Sequence, residues 1–280
     1  MSMPKSFLLI AHFAEEQNGN LSAQIGSPLL PEPASSSQFA LLNEWLYVCR
    51  ETHNHGHSTG RPSNDIHKVL PEELPTRVVD VGSHDHPRLQ LIDSESMRSQ
   101  EYMAFSHCWG EGPLFSTLTS TIHELRQGFD INLLPRSFQD AITVARGLNM
   151  TYLWIDSLCI IQDDMQDWEN EAARMQQVFS NAICVIAASS APESSAGFLS
   201  IPRQQRTWAT LQPQSNERRR HVCKFIDNFH GDVEESVLNQ RGWVLQERAL
   251  ARRLIHFTST QIYMECGHGV YCESLMKLIK

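Results

Sequence analysis

Apolar residues recur every three or four positions between Phe39 and Cys49, and this spacing predicts a short amphipathic helix. Residues 78–81 and 88–93 read as two short strands around the turn-prone stretch 82–87, and residues 102–106 as a third strand. A helix fits 117–128. Pro135 opens another, with Phe138, Ala141, Ile142 and Ala145 on one face and Gly147 at its end. Residues 152–156 and 182–188 are nearly continuous apolar runs, the mark of strands buried on both faces. A helix from about Asp164 to Asn181 joins them. Residues 241–252 suit a helix, and 254–257 with 261–266 a hairpin. The alternation predicts an α/β fold: a mostly parallel central sheet flanked by helices, with an N-terminal helix and hairpin and a C-terminal helix and hairpin added to it. Pro28, Pro31, Pro33 and Ser35-Ser36-Ser37 make residues 1–37 linker-like and loosely structured.

Composition narrows the class. The chain has 280 residues, 41% hydrophobic and 20% charged, which fits a folded globular protein and not a disordered one. The formal net charge of -9 argues against a nucleic-acid or anionic-membrane surface. No stretch approaches the roughly 20 apolar residues of a membrane span. The apolar run 7–11 is short and is followed by His12, Glu15 and Glu16, unlike a signal peptide. Seven cysteines, an odd number without compact spacing, suggest reduced thiols in a cytoplasmic protein.

On a helical wheel centred on Trp168, the residues Met165, Ala172, Met175 and Phe179 fall within about 60°, and Glu171 lies at about 60°. Asp167, Glu169 and Asn170 point away. A carboxylate at the edge of an apolar stripe is costly unless paired or used. Desolvation raises its pKa, which suits acid/base or ribose-binding work. The same pattern is met by a Glu171 that pairs with an arginine or reaches solvent. Asp156 closes a central strand, at the edge where open parallel sheets bind ligands, and Ser157, Cys159, Gln162, Asp163 and Asp164 follow it. Asp163 or Asp164 is placed to cap the next helix.

Ser106-His107-Cys108-Trp109-Gly110 reaches the same edge. His107 and Cys108 offer a base and a nucleophile, or simply pack as core and loop residues. Cys49, His53, His55 and His57 have zinc-ligand chemistry, and His84 and His86 are further candidates, but the spacing matches no compact zinc signature and alternating histidines also occur in solvated loops. Arg241, in Arg241-Gly242-Trp243-Val244-Leu245-Gln246-Glu247, has the chemistry to hold a phosphate or carboxylate, or to pair with Glu247 and fix a helix to the sheet. There is no P-loop, dinucleotide glycine fingerprint, zincin motif or hydrolase elbow.

Five blocks in order resemble the fungal heterokaryon-incompatibility (HET) domain: Phe105-Ser106-His107-Cys108-Trp109-Gly110; Leu134-Pro135 through Phe138, Asp140, Ala141 and Ile142; Tyr152-Leu153-Trp154-Ile155-Asp156-Ser157 through Gln162-Asp163-Asp164; Trp168-Glu169-Asn170-Glu171; and Arg241 through Glu247. His107 stands where the family has an aromatic Tyr. Gly56 takes the last position of an upstream Cys-x-x-x-His-x-x-Cys pattern. The resemblance spans about residues 40–270. It divides the chain into a loose segment 1–37, a helix and short strands 38–97, the core domain 98–200 and a C-terminal part 201–280. It implies a role in non-self recognition and regulated cell death.

The HET domain in turn resembles the Toll/interleukin-receptor (TIR) domain, which implies a TIR-like core. Several TIR domains cleave NAD with one helix-borne Glu, and that likeness makes Glu171 the catalytic candidate with Asp156. Ser106, Trp109, Trp154, Gln162 and Arg241 are then the substrate-binding candidates. No cofactor is implied, NAD being a substrate, and zinc is confined to the histidine cluster. Three classes stay open: a nucleotide-hydrolysing effector; a non-enzymatic module acting by self-association or through another incompatibility or NOD-like protein; and a related protein recruited to small-molecule metabolism through Cys108 or Cys159.

Overall fold

The computed structural model describes residues 10–15, 21–24, 30–53, 74–82, 87–111, 115–203, 208–211, 220–223 and 228–278. In chain order the strands β1 (Ile10–Glu15) and β2 (Leu21–Gln24) precede helix α1 (Ser36–Thr52) and strands β3 (Arg77–Asp80), β4 (Gln90–Asp93) and β5 (Met103–Ser106). Helices α2 (Ile122–Gln127) and α3 (Arg136–Gly147) follow, then β6 (Tyr152–Trp154), the single turn α4 (Asp156–Cys159), α5 (Met165–Asn181) and β7 (Cys184–Ala187). The remainder comprises β8 (Trp208–Leu211), β9 (Arg220–Cys223), α6 (Gly242–Leu250), β10 (Arg253–Phe257), β11 (Ile262–Cys266), β12 (Gly269–Cys272) and β13 (Leu275–Leu278).

The main sheet has nine strands in the order β13-β12-β11-β10-β7-β5-β6-β3-β4. Its centre, β10-β7-β5-β6, is parallel as the alternation predicts, because α3, α5 and α6 supply the crossovers. The sheet as a whole is mixed and not mostly parallel: the flanking pairs are antiparallel. Short connections such as those from β10 through β12 can only make hairpins. Residues 1–37 contribute β1 and β2, and the polar stretch after residue 200 contributes β8 and β9. Together they form a second sheet, β2-β1-β9-β8. Besides its neighbour β2, β1 pairs with β9, far along the chain, so no local pattern announces that pairing.

The helices bury the expected faces. Ser35 caps α1, accepting from the Gln38 backbone N–H, and Leu42, Trp45, Leu46 and Cys49 face inward. On α3 the apolar stripe is buried, and Asp140 with it: its carboxylate accepts the backbone N–H groups of Phe198 and Leu199 at 2.7 and 2.9 Å. This fixes the chain after β7 over the core.

The wheel for α5 needs rotating. Its buried face centres on Glu171 and Val178, while Trp168 is 47% and Met165 72% exposed. Asp167 does not point away: it accepts from the buried Arg77 guanidinium at 2.5 Å and from the Ile161 N–H at 2.8 Å. Asp164 is the cap, accepting from Gln166 and Asp167 N–H. Asp163 instead receives the N–H and hydroxyl of Thr119.

Candidate active site

The carboxyl ends of β5 and β6 bring Ser106–Gly110 and Asp156 together. Gly110 makes the turn after Trp109 with φ 86°, and a Cβ there would stand 2.7 Å from Glu193 Cβ, so a side chain is excluded twice over. The start of α6 lies over the same edge, docked by Val244 and Leu238 against Cys108 and Ala187. Between α5, α6 and these strand ends is a cavity of about 290 Å³. Trp109, Trp168 and Trp243 contribute aromatic walls, and Asp156, Gln162, Arg241, Gln246 and Glu247 contribute polar groups.

Four of the five polar groups have hydrogen-bond partners. Asp156 accepts the Trp109 indole N–H at 2.9 Å and its neighbour Ser157 N–H at 2.7 Å. Gln162 donates to the carbonyls of Ile160 and Asp156 at 3.0 and 3.3 Å. Arg241 donates to the His107 carbonyl at 2.5 Å. Ser106 donates to Glu247 at 2.5 Å. Burial pushes the Glu247 carboxyl up to about 7 and the Asp156 charge adds to it, while the Ser106 hydroxyl and Arg241 oppose the rise. Two interacting carboxylates, one titrating near neutrality, form the arrangement used for acid/base work on a polar bond.

Of the expected residues, Asp156, Trp109, Gln162 and Arg241 line this cavity, and Ser106 stands behind Glu247. Trp154 does not: it is a core residue, 1% exposed, with its ring edge-on to Phe179. Glu171 is turned inward as the stripe-edge argument requires, at 3% exposure with Oε2 unpaired, but it lies outside the set of side chains lining the cavity. Its neighbours Trp168, Ala172 and Met175 form the wall instead.

Glu247 is the functional candidate missed. Trp243, Gln246, Glu247 and Leu250 follow at i, i+3, i+4 and i+7, one face of α6, and all line the cavity. No Arg241–Glu247 ion pair forms among the described residues, although the two groups interact electrostatically. Cys49 and His53 lie far from this edge in the sheet order, beside β11. His55, His57, His84 and His86 fall outside the described residues.

The Cys–His alternative loses its chemistry. Burial pushes the Cys108 thiol up and the Cys159 thiol up to about 12, so neither is a thiolate at neutral pH. His107 is stacked on Phe105 at 4.7 Å and edge-on to Phe138; its Nε2 makes no hydrogen bond and stands 4.0 Å from Asp156 Oδ1, and burial depresses its pKa against the pull of the Asp156 charge. It stays neutral in the folded chain while the unfolded chain takes a proton below pH 6.5. This group therefore withdraws stability as pH falls through 6.5, by at most about 1.4 kcal/mol per pH unit. His107→Phe keeps the stack, and urea unfolding at pH 7 and 5 should show the variant losing less on acidification than the parent.

The family model described as heterokaryon incompatibility protein (HET) matches residues 102–247, more than half of the chain. The match begins beside β5 and ends on Glu247, so it encloses every polar group of the cavity. No curated protein and no solved structure matches.

Proposed function

The chain belongs to the heterokaryon incompatibility (HET) family, which implies a role related to heterokaryon incompatibility, and from that premise we propose that it is an effector whose cavity binds and hydrolyses NAD or a closely related nucleotide. The observation that carries this reading is the meeting of three indoles and two interacting carboxylates at the carboxyl edge of the parallel strands. Indole faces stack flat heteroaromatic rings. Arg241 suits the diphosphate. The likeness to TIR domains, drawn from the Ser-bearing strand and the Trp-x-x-Glu helix, implies cleavage of the same bond but with Glu171 as the carboxylate.

In the proposed reaction the bond between ribose C1′ and the nicotinamide nitrogen breaks. Its electron pair leaves with nicotinamide and neutralises the pyridinium charge, so no acid is needed. Asp156, held by two N–H donors, stabilises the oxocarbenium character that develops on the ribose. Glu247 takes a proton from the water that attacks C1′. Cell death follows from NAD loss. The buried, unbridged thiols of Cys108, Cys159 and Cys184 suit a reducing compartment, and we place the protein in the cytoplasm. No helix among the described residues is long and apolar enough to cross a membrane.

The test is nicotinamide release from NAD by the pure full chain. Release that falls in Asp156→Asn and Glu247→Gln supports the reading, and no release at any protein concentration overturns it. Glu171→Gln examines the assignment drawn from the TIR likeness: loss there as deep as in Glu247→Gln would move the carboxylate role to α5. A second reading has its own observation. Leu245 is 70% exposed on α6, away from the cavity-lining face, an apolar contact point suited to self-association or to an incompatibility or NOD-like partner. An oligomer that Leu245→Glu dissolves, in a chain that leaves NAD intact, would favour it.

A further inference from the structure

At the other end of the main sheet order, Cys49 and His53 from the end of α1 meet Cys266 from β11, more than 200 residues away in sequence. Their Sγ and ring-nitrogen atoms all lie within 4.8 Å of one another, and Cys266 Sγ is 3.3 Å from His53 Nδ1. In a tetrahedral zinc site, with Zn–S about 2.3 Å and Zn–N about 2.0 Å, ligand atoms stand about 3.5–4 Å apart. The cluster thus approximates three of the four vertices of such a site. We propose that Cys49, His53 and Cys266 bind a structural zinc ion.

Two features beyond the donor set support this. Arg253 is 4% exposed, and its Nε donates to Cys49 Sγ at 3.2 Å while Nη1 donates to the Ile183 carbonyl. No carboxylate pairs with it among the described residues. A buried guanidinium needs negative charge beside it, and a metal-bound thiolate supplies that charge as an outer-shell acceptor. The backbone is also shaped for it: Cys49 sits in the last turn of α1, and His53 caps the helix by donating its N–H to the Cys49 carbonyl at 3.2 Å. Residues i and i+4 therefore share a face. His53 is oriented further by its stack on His268, with centroids 4.5 Å apart. Binding releases a proton from each thiol and ties α1 to the β11–β12 hairpin.

The full chain, purified from zinc-containing medium under reducing conditions without chelator, should carry about one zinc per chain. Replacing zinc by Co²⁺ should give the strong visible ligand-field bands of a tetrahedral ion and an ultraviolet thiolate-to-cobalt band. Both signals should disappear in Cys266→Ser and His53→Ala and persist in Cys184→Ala, whose thiol in β7 is not among the clustered donors. Because the variants can also fail to fold, the parent chain decides alone. Substoichiometric zinc with no thiolate band on Co²⁺ addition, or a Cys49–Cys266 disulfide found by non-reducing mass spectrometry, would overturn the proposal.

Discussion

Glu247→Gln is expected to slow the proposed nicotinamide release by about 100- to 10,000-fold, the range for removal of a general base. Gln keeps the shape and still accepts the Ser106 hydroxyl proton, so the loss should fall on kcat and leave KM within a few-fold. The pH profile gives the sharper signature. Glu247 titrates at about 7, and a base must be ionised. In the parent, kcat/KM should rise about tenfold per unit up to pH 7 and level off above it. The variant should show a flat profile over that range. A parent that releases nicotinamide with no limb near 7, or a variant as active as the parent, would remove Glu247 from the reaction.

The same group has a stability consequence of definite sign. An unfolded Glu titrates at 4.5 and the folded one at about 7, so between these values the folded chain holds a proton that the unfolded chain has released. Stability then falls as pH rises through this window and is lowest above 7. Glu247 is partly exposed, and solvent screening reduces the effect to about 1–2 kcal/mol. Glu247→Gln should therefore stabilise the protein at pH 8 and change little at pH 4.5. A cavity residue whose removal raises stability is what the proposed functional role predicts.

How much was legible in the sequence follows from how local each signal is. The strand ends at Ser106 and Asp156 were readable because continuous apolar runs mark buried parallel strands, and ligands meet their carboxyl ends. An inward Glu171 is one of the two arrangements its spacing allows. The buried face is not centred where hydrophobicity alone points: the large apolar side chains Trp168 and Met165 are both exposed, and Trp168 walls the cavity. Trp154 failed in the opposite way, since a strand buried on both faces leaves no room for a ligand-stacking ring. Glu247 was legible in the i, i+3, i+4, i+7 face of α6 but was read as an Arg partner. What no pattern carried were pairings across distance: β1 with β9, Cys49 with Cys266, and Arg77 with Asp167.

That last pair carries a large expected effect on stability. Arg77 lies in β3 at 5% exposure. Its guanidinium donates to the Cys159 carbonyl at 2.8 Å and to Asp167 at 2.5 Å. Asp167 also accepts the Ile161 N–H, so one carboxylate neutralises a buried cation and satisfies a backbone donor in the link between α4 and α5. Asp167→Ala removes both functions and should cost about 3–5 kcal/mol in urea unfolding, because an uncompensated buried charge is left behind. Asp167→Asn keeps an acceptor for Ile161 but not the charge and should cost roughly half as much. The double variant Arg77→Met/Asp167→Leu removes the charge with its partner and should recover most of the loss. Ile160 and Gln162 lie in this link and line the cavity, so Asp167→Ala should also weaken nucleotide binding while Asp156 and Glu247 remain. A cost below about 1 kcal/mol would mean that the pair is solvated like a surface salt bridge, and the link between α4 and α5 would then owe its position to packing alone.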